Sequence, residues 1–184
     1  MPLPHYTQAK ASIQKFETVQ PNLFEVTMLP PAGIGFDTGL VLQHVTKISG
    51  LDAVNPAFEA VGQKYKFADR SYAGMPGQTY VDLSMDFTVN LNDANEAYIY
   101  KSMQDWYKLI YDPATGEMGL KKDYVGTIIV LQYNRAGDVF RKITFKDAFP
   151  TGNPTFADEL NYETQDPAAV SMSYRSDYWI EELV

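Results

Sequence analysis

The sequence Thr127-Ile-Ile-Val-Leu-Gln-Tyr133 runs into Asn134-Arg-Ala-Gly137 and then into Asp138-Val-Phe-Arg-Lys-Ile-Thr-Phe145. Two runs of β-branched and aromatic residues joined by a short turn with glycine predict a β-hairpin. A last strand is predicted over Val170-Ser-Met-Ser-Tyr-Arg-Ser-Asp-Tyr-Trp179. Alternate residues of a strand share a face, which predicts two half-buried apolar faces here: Val139, Ile143 and Phe145, then Val170, Met172, Tyr174 and Tyr178.

Three further strands are predicted upstream, over residues 22–28, 40–48 and 80–90. The third alternates most regularly, as a strand with one buried and one wet face does. Its apolar face comprises Val81, Leu83, Met85, Phe87 and Val89. A helix is predicted from an N-cap at Asp93 to about Ile110. Residues at helical spacing form its predicted buried stripe: Ile99, Met103, Trp106 and Ile110.

These patterns predict a mainly β protein, an antiparallel β-sandwich or barrel with one flanking α-helix. The chain has 184 residues, of which 45% are hydrophobic, which suffices for the core of one domain. We expect residues 1–20 to form an N-terminal arm and residues 21–184 to form a single domain.

The charge balance argues against a protein that grips nucleic acid. The chain has 15 Lys and Arg residues against 23 Asp and Glu residues, a net charge of −8, whereas phosphate-binding proteins present basic surfaces. It has no cysteine, which excludes disulfides and thiolate metal sites. No signal peptide or membrane-spanning apolar run is evident, so we expect a soluble protein that is cytoplasmic when made.

A long polar and aromatic segment, residues 52–77, shows no clear periodicity and is predicted to be a loop. Ordered loops of this length are uncommon and usually functional. Aromatic residues, Met and Arg are enriched in interface cores, which predicts that the loop reaches another subunit through Tyr65, Phe67, Arg70, Tyr72 and Met75. The alternative is an excursion that folds back on its own domain.

No catalytic, cofactor or metal site is predicted. The spacing of Gly33, Gly35 and Gly39 departs from the dinucleotide fingerprint, and no βαβ context follows. His5 and His44 are the only histidines and have no nucleophile motif beside them. We expect His44 to lie in the middle of a strand as a packed or interface side chain.

Two acidic features have both a functional and a plain structural interpretation. Asp82 and Asp86 share the polar face of one strand, about 13 Å apart along the backbone, which favours a solvated acidic face over a glycosidase pair. Residues 158–166 form a second acidic stretch, which contains Asp158, Glu159, Glu163 and Asp166. Trp179 suits either a sugar-stacking platform or packing under the helix.

The C-terminal half carries a family resemblance. A glycine hairpin, then Phe145-Lys-Asp-Ala-Phe-Pro150, then an acidic strand, and then a strand ending in Tyr-Trp resembles the tail tube proteins of contractile-tailed bacteriophages. Upstream, Asn22-Leu-Phe-Glu-Val26, Lys47-Ile-Ser-Gly-Leu51 and Pro76-Gly-Gln-Thr-Tyr-Val-Asp-Leu83 resemble strands of the same family. The resemblance extends from Pro21 to Trp179, and the order and spacing of the motifs are more specific than any single motif.

The resemblance implies a structural virion protein, not an enzyme. Hexameric rings would stack head to tail, with the long loop between rings, the helix outside, and Asp82, Asp86 and Glu163 facing a negative lumen that conducts DNA without binding it stably. The implied partners are further copies of the chain, the tail sheath, baseplate, tail-terminator and tape measure proteins. The tail would assemble in the host bacterial cytoplasm.

Three alternatives remain open at this point. A baseplate protein that initiates the tube would share the fold, and the N-terminal arm fits such a role. The inner tube of a type VI secretion system or a related contractile injection device would share it too, with effectors as cargo. A carbohydrate-binding β module is the unrelated class, since its strands are also rich in aromatic residues.

Overall fold

The computed structural model describes residues 19–35, 44–76, 80–88, 99–156 and 169–184. The helices in these ranges are a 3₁₀ helix at Leu51–Val54, α1 at Ile99–Ile110 and α2 at Lys121–Tyr124. The strands are β1 Phe24–Leu29, β2 Val45–Ser49, β3 Phe58–Lys64, β4 Asp69–Pro76, β5 Val81–Thr88, β6 Gly126–Tyr133, β7 Val139–Pro150, β8 Thr155–Phe156, β9 Ala169–Ser176 and β10 Tyr178–Leu183. None of the described helices has the length and hydropathy needed to cross a membrane.

The main sheet is antiparallel and has the strand order β1-β6-β7-β9-β5-β2. The predicted hairpin is present, because β6 pairs with β7 through a turn in which Gly137 has φ 91°. The backbone of β7 is irregular at Asp147, which has φ 53°, a left-handed conformation that Asp tolerates better than most residues. Before this point β7 also pairs with β10, and after it β7 pairs with β9. The predicted mainly β fold class is confirmed.

The core lies between the inward sheet faces and α1. The alternation predicted for residues 80–90 is confirmed where it is described, since Val81, Leu83, Met85 and Phe87 are all buried. At the centre, the Trp106 ring of α1 lies 5.5 Å from the Tyr174 ring of β9, centroid to centroid. Gly126 is needed beside it, because a Cβ there would come within 2.8 Å of the Trp106 ring. The helix thus covers the apolar face of the sheet.

The predicted last strand is wrong in one respect. The chain turns at Asp177, so that the segment 170–179 is divided between β9 and β10, and β10 pairs with β7 instead of continuing β9. The turn resets the alternation, which leaves Val170, Met172 and Tyr174 buried but Tyr178 exposed. Ser176 is buried at the turn, and its hydroxyl donates to the carbonyl oxygens of Lys146 and Tyr178.

Two other predictions need correction. The segment 52–77 contains a helical turn and the β3–β4 hairpin instead of an irregular loop. The two strands of this hairpin show no alternation of apolar and polar residues in the sequence, because neither face of the hairpin is buried. His44 lies one residue before β2, not within a strand. The predicted helix is described from Ile99 onward, and residues 94–98 lie outside the described ranges.

Candidate assembly surfaces

The β3–β4 hairpin is a two-stranded sheet of its own. Lys64 pairs with Asp69, and the Tyr65 N–H donates to the Ala68 carbonyl oxygen at 2.9 Å, which closes the tip. No residue of either strand is buried. An isolated hairpin is marginally stable in water, so this one lacks the packing that would normally stabilise it.

The hairpin carries all five residues predicted for an intersubunit contact. Phe67 at the tip is 91% exposed and Met75 is 88% exposed. Phe58 and Val61, which were not among the predicted contact residues, are exposed too. A clustered set of exposed large apolar side chains marks an interaction surface in a soluble protein.

The two faces of the hairpin differ. Val61 lies opposite Tyr72, and Gln63 lies opposite Arg70 on the same face. The Tyr65 hydroxyl donates to Gln63 Oε1 at 3.0 Å, and the Arg70 guanidinium lies 5.8 Å from the Tyr65 ring centroid. The other face bears small residues in its middle, with Ala60 opposite Ala73 and Gly62 opposite Ser71, and a charged pair, Lys64 opposite Asp69, next to the tip. One face is therefore bulky and aromatic, and the other is small and polar.

A second surface is the outward polar face of β2, β5 and β9. Asp82 accepts hydrogen bonds from Arg175 Nε at 2.7 Å and Nη2 at 2.9 Å. The same guanidinium lies 4.1 Å from the Tyr80 ring centroid. The hydrogen bond to Asp82 raises the pKa of Arg175. Such a bidentate pair fixes both side chains in one geometry.

Asp86 is paired as well. It accepts a hydrogen bond from the Ser171 hydroxyl at 2.8 Å, and Lys47 Nζ lies 4.0 Å from its carboxylate. The charged side chains of β2, β5 and β9 thus form two ion pairs with no net charge. Hydroxyl groups line the shallow depression beside them, from Ser49, Ser84, Thr151 and Ser173. Glu163, the third predicted lumen residue, lies outside the described residues, as does the rest of the acidic stretch 158–166.

The geometry offers no support for chemistry at this face. Each carboxylate contacts its own partner, and the two do not share a site. Among the described residues, no group of three or more His, Asp or Glu could hold a metal ion. His44 Nδ1 lies 3.4 Å from Thr88 Oγ1, which suits a packed side chain. His5 and Gly39 lie outside the described ranges.

The residues predicted to pack with the helix lie on the opposite side of the sheet. Ile99, Met103 and Trp106 are buried, and Ile110 is half-buried. The Trp106 indole N–H donates to the Tyr124 carbonyl oxygen at 2.6 Å, which ties α1 to α2. Trp179 is half-buried against the core, and its indole N–H donates to the Val54 carbonyl oxygen at 3.0 Å.

Several solved structures share this architecture. A chain of the PVC sheath–tube complex, from an extracellular contractile injection system in the extended state, superposes with a TM-score of 0.62 at 15% identity, over 95% of this chain and 97% of that one. The tube-terminating cap of the anti-feeding prophage gives a TM-score of 0.62 at 15% identity over 92% and 93%. The chain has a tail tube-like fold. The anti-feeding prophage baseplate contains a further match, with a TM-score of 0.57 at 10% identity over 92% and 98%.

The tail tube-like fold is supported by structure and not by sequence comparison. No protein-family model and no curated protein sequence matches the chain. The three structures cover more than nine-tenths of both partners in each superposition, so the likeness concerns the whole domain and not a shared sheet alone. At these identities the likeness establishes the fold, and function has to be argued from the surfaces.

Proposed function

We propose that this chain is a structural subunit of the inner tube of a contractile, phage-tail-like assembly, in which hexameric rings stack head to tail. The observation that carries the proposal is the β3–β4 hairpin, because it exposes Phe67, Met75 and other large apolar side chains and has no core of its own. Such a surface suits burial against a further copy of the chain. The tail tube-like fold supports the same assignment.

The sheet suits ring formation. β1 and β2 end the strand order of the main sheet, so each presents an edge that pairs with no other described strand. Open edges invite pairing with another chain, and closure of a ring would pair them between subunits. The polar face of β2, β5 and β9 would then line the channel, and the helix side would face a sheath protein.

If the polar face of β2, β5 and β9 lines the channel, it should let DNA pass without binding it. Lys47 and Arg175 are the cations of the polar face, and each is engaged by a carboxylate. Phosphates passing this wall would meet no net positive charge among the described residues of β2, β5 and β9, which fits DNA conduction without stable binding. The acidic stretch 158–166 would supply any net negative charge.

A second candidate cargo is protein, as in a contractile injection device. The two ion pairs favour it, since a charge-balanced, hydroxyl-rich wall neither repels nor holds a polypeptide of either charge. The solved structures with this fold include chains from an extracellular contractile injection system. Because cap and baseplate structures contain the same fold, the fold does not distinguish a tube subunit from a cap or baseplate subunit. Assembly behaviour does.

The partners that follow are further copies of the chain, a contractile sheath, and baseplate and terminator proteins at the two tube ends. A phage tail would add a tape measure protein and transiting DNA inside the channel. The assembled location would be the virion tail or an equivalent extracellular device. No cofactor is required by any of these roles, because the work is mechanical and steric.

The test is negative-stain electron microscopy of the purified chain over a concentration series. We expect six-fold rings at low concentration and hollow tubes at high concentration. Featureless monomers at every concentration would overturn the self-assembling tube subunit. Single rings that never stack would instead favour the cap or tube-initiator position.

The channel face has its own test in the assembled particle. Asp82→Lys with Asp86→Lys should preserve tubes and slow DNA passage, because it places unpaired cations on the wall. The matched control is the exchange Asp82→Arg with Arg175→Asp, which keeps the pair and the net charge, and it should pass DNA normally. Equal DNA passage in the parent and in both variants would show that this face does not line the channel.

A further inference from the structure

The 3₁₀ helix Leu51–Val54 precedes the β3–β4 hairpin and is packed on the domain; we call it the root. Leu51 and Ala53 pack against the core, and Val54 is buried within it. Only residues 55–57 separate the root from β3. The root therefore fixes the β3 end of the hairpin, and β5, which begins at Val81, fixes the β4 end.

The C-terminal strand β10 contacts the root directly. The Trp179 indole N–H donates to the Val54 carbonyl oxygen at 3.0 Å, and Asn55 Nδ2 donates to Glu181 Oε2 at 3.4 Å. The other carboxylate oxygen of Glu181 accepts from Arg141 Nε at 2.6 Å. Glu181 is thus held by β7 on one side and contacts the first residue after the root on the other.

The register of β10 explains why these side chains reach the root. Trp179 lies opposite Phe145 and Glu181 lies opposite Ile143, both of which point into the core. Tyr178 and Glu182 occupy the alternate positions and are exposed on the far side of the strand. Neighbouring residues of β10 therefore form two sets, one that contacts the root and one that does not.

We propose that β10 is a latch that fixes the direction of the β3–β4 hairpin, with Trp179 and Glu181 as positioning residues. Its importance for ring stacking rests on the proposed function. No residue of β3 or β4 is buried, so the direction of the hairpin depends on how its ends are held, and the root is the end that β10 contacts. The latch contacts are the means of holding it.

Because the hairpin is long, a small tilt at the root becomes a large displacement at the tip. β3 has 7 residues, so the hairpin extends roughly 20 Å at about 3.3 Å per residue. A tilt of about 20° at the root would move Phe67 by roughly 7 Å, which is more than an interface contact tolerates. A tube of stacked rings needs every hairpin to leave its subunit at the same angle.

The experiment measures the hairpin direction in the unassembled full-length chain. Because the sequence has no cysteine, spin labels can be placed at Lys66→Cys in the hairpin tip and at Ala136→Cys in the exposed β6–β7 turn. Double electron–electron resonance at a concentration below assembly should give one narrow distance distribution. Trp179→Phe, which removes the indole donor, should broaden it by about twofold through local loosening of the root.

Two further variants keep the proposal falsifiable. Tyr178→Phe is the matched control, because it alters the neighbouring aromatic residue on the far side of β10 and should leave the distribution narrow. Asn55→Ala removes the second contact without touching the core and should also broaden it, even if Trp179→Phe fails to fold. A broad distribution in the parent, or one that neither Trp179→Phe nor Asn55→Ala changes, would overturn the latch.

Unlabelled versions of the same variants separate this proposal from the proposed function. The latch is measured in monomers, whereas tube formation is scored by electron microscopy at high concentration. If tubes form but the root variants leave the distances unchanged, the latch alone is wrong. If the latch behaves as described but no rings form, the tube assignment is wrong and the latch stands.

Discussion

Two aromatic residues of this chain lie in opposite environments. Trp106 on α1 is fully buried, contacts Tyr174 and donates to the Tyr124 carbonyl oxygen. Phe67 at the tip of the β3–β4 hairpin is 91% exposed. The first is already stabilised within the subunit, and the second still has apolar area to bury. The comparison separates residues that stabilise the fold from residues that we propose assemble it, and four predictions test that separation.

Removing the hairpin should have the largest effect on assembly. Deletion of residues 63–74 should abolish tube formation and leave the melting temperature of the subunit within a few degrees, because no residue of β3 or β4 belongs to the core. Sedimentation velocity, electron microscopy and thermal melting measure the two properties. Long tubes from the shortened chain would show that the hairpin is not the stacking contact.

Truncating Trp106 should lower the stability of the subunit, whereas truncating Phe67 should weaken tube formation and leave stability nearly unchanged. Trp106→Ala should cost about 3–5 kcal/mol of unfolding free energy through the cavity it leaves. Phe67→Ala should change the same quantity by less than about 0.5 kcal/mol, as expected for an exposed site, while weakening tube formation. Urea denaturation of both variants provides the comparison. A large stability loss in Phe67→Ala would mean that the tip packs on its own subunit.

Two neighbouring glutamates of β10 sharpen the same distinction. Glu181 and Arg141 are 24% and 20% exposed, so Glu181→Ala leaves a half-buried guanidinium and should cost about 1–3 kcal/mol. Glu182 pairs with Lys142 at the surface, and Glu182→Ala should cost less than about 1 kcal/mol. Chemical denaturation under identical salt measures both. Equal costs would contradict the distinction between the two sides of β10.

The smallest effect should come from the core tyrosine. Tyr174 is fully buried, and its hydroxyl has no hydrogen-bond partner among the described residues. Burial raises the pKa of Tyr174 in the folded chain, so ionisation favours unfolding as the pH rises above about 10, the value for a free tyrosine. Tyr174→Phe should be neutral at pH 7, within about 1 kcal/mol, and more stable than the parent above pH 10. Parallel pH profiles of the two proteins would contradict this.

The sequence predicted the elements whose burial is one-sided. In β5 the apolar residues Val81 and Met85 point inward and Asp82 and Asp86 point outward, because a sheet covered on one side imposes that alternation. The stripe of α1 was readable for the same reason. Both patterns record contact with the core of the same subunit.

The features that were missed depend on something other than the core. The hairpin shows no alternation, because neither of its faces is covered by the domain. The break at Asp177 was invisible, since Tyr178 continues the even spacing of Val170, Met172 and Tyr174 in the sequence although the chain changes its partner from β5 to β7 there. Arg175 and Asp82 are 93 residues apart, and only the strand register brings them together. The alternation in the sequence predicted that both side chains point outward, but it did not predict that they pair.

Hydrogen exchange of the monomeric and assembled protein, compared by mass spectrometry, tests the tube proposal most directly. If the hairpin is the stacking surface, peptides covering β3 and β4 should exchange quickly in the monomer and become protected on assembly. Peptides covering α1 and the core side of β5 should be slow in both states. Tubes in which β3 and β4 still exchange at the monomer rate would contradict the proposal that these strands join one ring to the next.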